Sequence, residues 1–387
     1  MPVTGINAIG AAGHPDPYRW YEKMSQGRPF AFDADLGMWV AMSAQAVEAV
    51  LGSHLCRVRP EAEPVPATLR GSPAGEMFGS LARMTDGETH ARLKRAIAAS
   101  LASIDLSHAR HIADQHASDL WLDDSPPRLS LMGYAYALPI YTLGTLLGVP
   151  PPALPRLLAL AGDFAACLAP GADPARVERD KATSGELRDL FRSVLASGPT
   201  GLLERLAREI ERAEGGDDDV VAANAAGFLF QAHDATAGLI GNTIVALDAS
   251  PEERAAAQQD ARRLYHIILK VFLHDPPIHN TRRFVVQDGE IMGQPVRAGD
   301  VILVVLAAAN RDPARPRDFR LIDVEGYGLG HGAHRCPGGL LAMTIAEAGV
   351  ARLLAAGALD NRLPRPVNYQ PSANARIPAL AFDADDT

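Results

Sequence analysis

A chain of 387 residues, 47% hydrophobic and 21% charged, has the composition of an ordinary globular protein with ample material for a large buried core. Its formal net charge of −9 excludes a general nucleic-acid binder, which needs a net basic face, but leaves room for a local basic patch that docks an acidic protein. Three cysteines, Cys56, Cys167 and Cys336, are too few and odd in number for a disulfide framework, which points to a reducing, cytoplasmic setting. The first sixteen residues lack a basic stretch followed by an apolar run, so no signal peptide is expected. No run of about 18 apolar residues suggests a membrane span.

In chain order, the first strand signal is Met38-Trp39-Val40-Ala41-Met42. Apolar residues at three- and four-residue spacing then predict helices over 43–51, 90–101, 129–147, 184–196, 217–247 and 251–273. Prolines at 150–152 and 276–277 end helices, and the acidic run 215–219 reads as a loop and helix start. Residues 283–286, a turn at Asp288-Gly289, and 290–296 read as a hairpin. A buried-looking strand follows at 301–305, and a last helix at 339–356. The sum is a mainly α chain with a minor β-sheet and no internal repeat, expected to form a single domain over 1–387.

The most informative stretch is Gly328-Leu329-Gly330-His331-Gly332-Ala333-His334-Arg335-Cys336-Pro337-Gly338-Gly339, which runs into an apolar helix. Glycines before the cysteine let the backbone approach a flat, bulky object. The dipole and free N–H groups of a helix start favour a thiolate and can bond its sulfur. Two other readings compete: an inert buried cysteine, or a zinc set of His331, His334 and Cys336, for which no further Cys/His pair at zinc spacing follows.

The stretch resembles the haem-binding loop of cytochromes P-450, with the pattern Phe-Gly-x-Gly-x-His/Arg-x-Cys-x-Gly. Gly330, Gly332, His334, Cys336 and Gly338 match, and Leu329 replaces the phenylalanine that shields the sulfur. The resemblance implies a cytochrome P-450-like fold and a haem b whose iron is ligated by the Cys336 thiolate. It also assigns propionate partners: His90 and Lys94 in Asp86-Gly87-Glu88-Thr89-His90-Ala91-Arg92-Leu93-Lys94, Arg283 in Asn280-Thr281-Arg282-Arg283, and His334.

Two departures accompany the match. The distal helix, in the family Ala-Gly-x-Asp/Glu-Thr-Thr, reads Gln231-Ala232-His233-Asp234-Ala235-Thr236. The acid Asp234 is kept, but the alcohol that orders water and relays protons is replaced by Ala235, leaving Thr236, Gln231, water or the substrate for that task. The family's Glu-x-x-Arg brace has become Lys270 and Leu273, and its basic partner in the following meander has become Asp318, so a charge-reversed Lys270–Asp318 pair is expected.

The resemblance implies a monooxygenase acting on a small molecule in specialised metabolism, supplied with electrons by a ferredoxin and ferredoxin reductase docking near Arg92, Lys94, Arg95 and Arg335. The loss at Ala235 keeps open an atypical haem-thiolate enzyme that rearranges, cyclises, dehydrates or couples without conventional dioxygen activation. A non-catalytic haem-binding relative is the third reading. Neither nucleic acid nor membrane is expected as a partner.

Overall fold

The computed structural model describes residues 7–121, 129–169, 173–315, 326–360 and 363–380. The chain is mainly helical with a small sheet, as expected, and divides into two compact units. One comprises Met1–Glu61, Gly238–Gly339 and Gly357–Thr387; the other comprises Ala62–Ala237 and Leu340–Ala356.

The first unit carries the sheet. Strands β1 (Phe30–Asp33), β2 (Met38–Ala41), β3 (Cys56–Arg57), β4 (Thr281–Val285) and β7 (Val301–Val304) are ordered β1-β2-β7-β4-β3. β7 runs parallel to β2, with Trp39 opposite Ile302, and antiparallel to β4, with Arg283 opposite Ile302. Its unbroken apolar run has a physical reason. Ile302 and Val304 pack into one buried cluster, with Val47, Val50 and Tyr327, while Leu303 and Val305 pack into another, with Val40 and Tyr21. The helix Ala44–Leu51 follows β2 directly, its first turn capped by the Ser43 hydroxyl, which accepts the Ala46 N–H at 3.1 Å.

The hairpin lies further along the chain than the sequence reading placed it. Residues of β4 pair with β7 and β3, whereas the hairpin joins β5 (Gly289–Ile291) to β6 (Gln294–Val296). Met292 and Gly293, with φ of 53° and 73°, form the two-residue turn whose twist suits a hairpin, so Asp288-Gly289 is not the reversal. The helix expected over 251–273 is likewise two, Pro251–Gln259 and Ala261–His274. Asp260 is extended between them and caps the second by accepting the Arg262 N–H at 2.8 Å.

A buried polar knot closes the first unit. Arg376, 2% exposed, donates to the Asp275 carboxylate at 2.7 Å and to the carbonyls of Ala12, His14 and Pro15 at 3.2, 2.6 and 3.1 Å. The Tyr18 hydroxyl donates to Asp275, so its oxygen can accept from His279 Nε2 at 3.3 Å. Nδ1 of His279 is then the bare nitrogen that accepts from the Tyr21 hydroxyl at 2.9 Å. Every polar atom of the imidazole is satisfied in its neutral form.

The second unit is helical. The long helix Asp218–Ala249, of which 218–237 belong to this unit, is buried on most sides, as is the helix Leu131–Leu146. Where they need close neighbours they carry glycine: a Cβ on Gly144 would lie 2.6 Å from a Leu157 methyl, and one on Gly227 would lie 2.7 Å from a Leu81 methyl. Asn224, 3% exposed, accepts the Ala82 N–H at 3.0 Å and donates to Ser80 O at 2.9 Å, which fixes the chain entering the helix Gly87–Ala102.

Burial, with Arg376 and Arg311 nearby, holds the His279 pKa well below the ordinary histidine value. The unfolded chain takes up a proton at this residue below about pH 6.5 while the folded chain does not, so stability is lost as pH falls. Relative to His279→Asn, the wild type is expected to lose about 2 kcal/mol between pH 6.5 and 5, read as the difference in urea unfolding midpoints at the two pH values.

Candidate functional site

The cysteine loop is a pair of 3-10 turns, Tyr327–Leu329 and Gly332–His334, joined by Gly330 and His331. Gly330 sits at φ 76°, ψ −173°, a region open to glycine and essentially closed to other residues. That conformation turns the chain so that the Cys336 N–H donates to Leu329 O at 2.7 Å, closing the loop. The sulfur of Cys336 accepts the Gly338 N–H at 3.4 Å, and the helix Gly339–Ala355 starts immediately afterwards. Leu329 lies against the backbone here: a Cβ on Gly339 would stand 2.7 Å from its Cδ1.

Cys336 is exposed, whereas Cys56 and Cys167 are buried. Burial pushes both buried thiols up to about 11, against the pull of Arg283 and Arg57 at Cys56. Those two are inert, and the outward-facing thiol in its glycine frame is the one suited to a ligand. The zinc reading gains no support, because among the described residues no three His, Cys, Asp or Glu side chains gather to hold a metal ion. A ligand set completed by the metal's own macrocycle asks the protein for one thiolate only.

Of the other expected residues in this unit, Arg283 is 7% exposed on β4, its Nη1 donating to Arg282 O at 2.8 Å. His334 is half-buried, two residues before the cysteine. Lys270 pairs with Glu253 at 3.2 Å on the surface, 65% exposed, and Asp318, its expected partner, lies outside the described residues. Leu273 is 4% exposed and packs on the chain leading into the loop, where a Cβ on Gly326 would meet both Leu273 and Phe272 at 3.0 Å. An apolar wall therefore stands at the position where the family has an arginine.

In the second unit, His90 is 4% exposed and its Nδ1 donates to Ala82 O at 2.8 Å, the same peptide whose N–H is held by Asn224. Lys94, half-buried, follows one turn later on the same helix. The long helix Asp218–Ala249 is buried from Val221 to Leu229 and again from Thr236 to Ile244, but Phe230, Gln231, Ala232, His233, Asp234 and Ala235 are not. Gln231 is exposed and donates Nε2 to Gly227 O at 2.8 Å. Asp234 accepts from His233 Nδ1 at 2.8 Å, and the His233 ring stacks on Tyr136 at 4.5 Å. Thr236 is 1% exposed and does not share this open stretch.

The residues of the first unit thus fit a haem: an exposed thiol with an N–H on its sulfur, a glycine cradle, and the buried guanidinium of Arg283. Replacing Gly330 with alanine is expected to cost about 1–3 kcal/mol in unfolding free energy, because the Cβ is strained at that φ and ψ whatever the surrounding space. The same variant should purify with a lower Soret-to-protein absorbance ratio than the wild type.

No family model matches the chain. A putative cytochrome P-450, number 140, of Mycobacterium tuberculosis is 29% identical over 289 residues; the match takes in 67% of this chain and spans 63% of that relative. The cytochrome P-450 monooxygenase PikC of Streptomyces venezuelae is 29% identical over 371 residues, 91% of this chain and 86% of PikC. Among solved structures, CalO2 aligns with a TM-score of 0.82 at 24% identity over 98% of both chains. P-450 RauA, solved with a biosynthetic intermediate of aurachin RE, aligns at 0.77 with 20% identity over 98% of this chain and 97% of its own. At those identities the solved structures speak for the fold alone. With the fold, the cysteine loop and these relatives in agreement, the chain belongs to the cytochrome P-450 superfamily, whose cofactor is a thiolate-ligated haem.

Proposed function

We propose that the chain is a haem-thiolate monooxygenase that inserts one oxygen atom into a small molecule of bacterial specialised metabolism, with 1–387 serving as one haem domain in the cytoplasm. The observation that carries the reading is the exposed Cys336, framed by Gly330 and Gly338 at a helix start. When bound, the haem supplies the one-electron and dioxygen chemistry. Cys336 holds it and donates electron density, and the Gly338 N–H tunes the sulfur. Arg283, His334, His90 and Lys94 are assigned to its carboxylates. Electrons come from a ferredoxin and its reductase, the ferredoxin meeting Arg92, Lys94 and Arg95 on the helix Gly87–Ala102, with Arg335 beside the cysteine. Among the described residues no helix is long and apolar enough to cross a membrane.

A second reading rests on one observation. The open stretch 230–235 of the long helix holds no alcohol, since Ala235 carries a methyl group and Thr236 is buried. Asp234 is instead bound to His233. An enzyme that rearranges, cyclises, dehydrates or couples a substrate already bearing an N–O or O–O bond does not need the missing hydroxyl.

Two measurements decide. The reduced protein under CO is expected to show the Soret band characteristic of thiolate ligation; Cys336→Ser abolishes it, while Cys56→Ser and Cys167→Ser retain it. Ala235→Thr is expected to raise product formed per electron pair consumed by about tenfold or more if proton delivery limits a monooxygenase. Turnover without any electron donor, unaffected by Ala235→Thr, selects the second reading instead.

A further inference from the structure

The cysteine loop must be held in place by something, and the residues that carry the family's charged brace are absent. Lys270 points to the surface and binds Glu253, and Leu273 offers only apolar contact to Gly326. Elsewhere in the same unit, three polar contacts form a closed triangle. Tyr327, 7% exposed and nine residues before Cys336, donates its backbone N–H to Asn310 Oδ1 at 2.7 Å, a buried contact. Its hydroxyl donates to the Glu48 carboxylate at 2.5 Å, on the helix Ala44–Leu51. The third side ties those two elements together: Asp312, two residues beyond Asn310, accepts the N–H of Ala44 at 2.8 Å, at the start of that helix. The Arg315 guanidinium lies over the Tyr327 ring at 5.3 Å.

The triangle reaches the loop at both ends. Gly330 N–H donates to Tyr327 O at 2.7 Å, so the glycine that turns the chain is bonded to the braced tyrosine. On the far side, a Cβ on Gly332 would lie 3.4 Å from Leu51 O, the last residue of the Glu48 helix. One short helix thus grips the loop before Gly330 through Glu48 and abuts it after Gly330 through Leu51. Burial and the Glu48 carboxylate both raise the Tyr327 pKa, so the phenol stays protonated and able to donate.

We propose that Asn310, Tyr327 and Glu48 are positioning residues that set the cysteine loop, and so the Cys336 sulfur, in place of the lost charged brace. The haem part of the inference rests on the reading of Cys336 as ligand; the loop part does not.

The test compares Tyr327→Phe, Glu48→Ala, Glu48→Gln and Lys270→Ala in the purified protein. Three quantities are measured: amide hydrogen exchange over 326–339, the rate of haem transfer to apomyoglobin, and the share of the reduced-CO spectrum in the thiolate form. Tyr327→Phe and Glu48→Ala are expected to speed exchange and haem loss by about tenfold and to lower the thiolate share. Glu48→Gln keeps an acceptor and is expected to stay near wild type, and Lys270→Ala to match it. Wild-type exchange in both Tyr327→Phe and Glu48→Ala overturns the brace, as does loosening of the loop by Lys270→Ala. Faster exchange with unchanged haem loss and thiolate share overturns the link to the sulfur. If the wild type itself holds no haem, the functional reading fails while the exchange arm still decides the brace.

Discussion

A thiolate ligand has to face outward, yet the backbone that presents it cannot leave its own N–H and C=O groups unbonded. In this chain the conflict is resolved at Gly330, whose φ of 76° lets the Cys336 N–H fold back onto Leu329 O and leaves the sulfur pointing away with one N–H of its own. Much else follows from holding that turn. Gly326 and Gly328 lie flat on Phe272 and Leu273 because side chains there would collide with them. Tyr327 is fixed at both its N–H and its hydroxyl.

How much of this could be read from the residues alone depends on whether the cause is local. The cysteine loop is local: twelve consecutive residues hold the glycines, the cysteine and the helix start, and the structure builds the loop from them. The central strand 301–304 was equally legible, because burial on both faces demands an unbroken apolar run. The hairpin was not, since its reversal depends on positive φ at Met292, a residue with no turn signature, next to Gly293. The break at Asp260 was hidden too, because an aspartate cap inside an Ala- and Arg-rich run looks like one more helical residue.

The candidate site shows the same division. The composition of the helix around Asp234 revealed the missing alcohol, but not that Thr236 turns inward or that His233, stacked on Tyr136, takes up the acid. Those facts belong to helix phase and to a neighbour about a hundred residues away. The Lys270–Asp318 expectation rested on register alone; Lys270 bonds Glu253 on the preceding helix, and Asp318 lies outside the described residues. Tyr327 and Glu48 are 279 residues apart, and no pattern in the sequence joins them.

The clamp at Arg376 has a bearing on how the chain comes to be folded. Three carbonyls near the N-terminal end, at Ala12, His14 and Pro15, receive their donors from a side chain more than 360 residues later. During synthesis that early segment therefore waits, without its final partners, until Arg376 has emerged. Most of the second unit, the continuous stretch 62–237, emerges well before that, while its remaining segment Leu340–Ala356 comes only shortly ahead of Arg376. Loop closure over such a separation is slow, so the fastening of the N-terminal segment is a late event in folding rather than a seed for it.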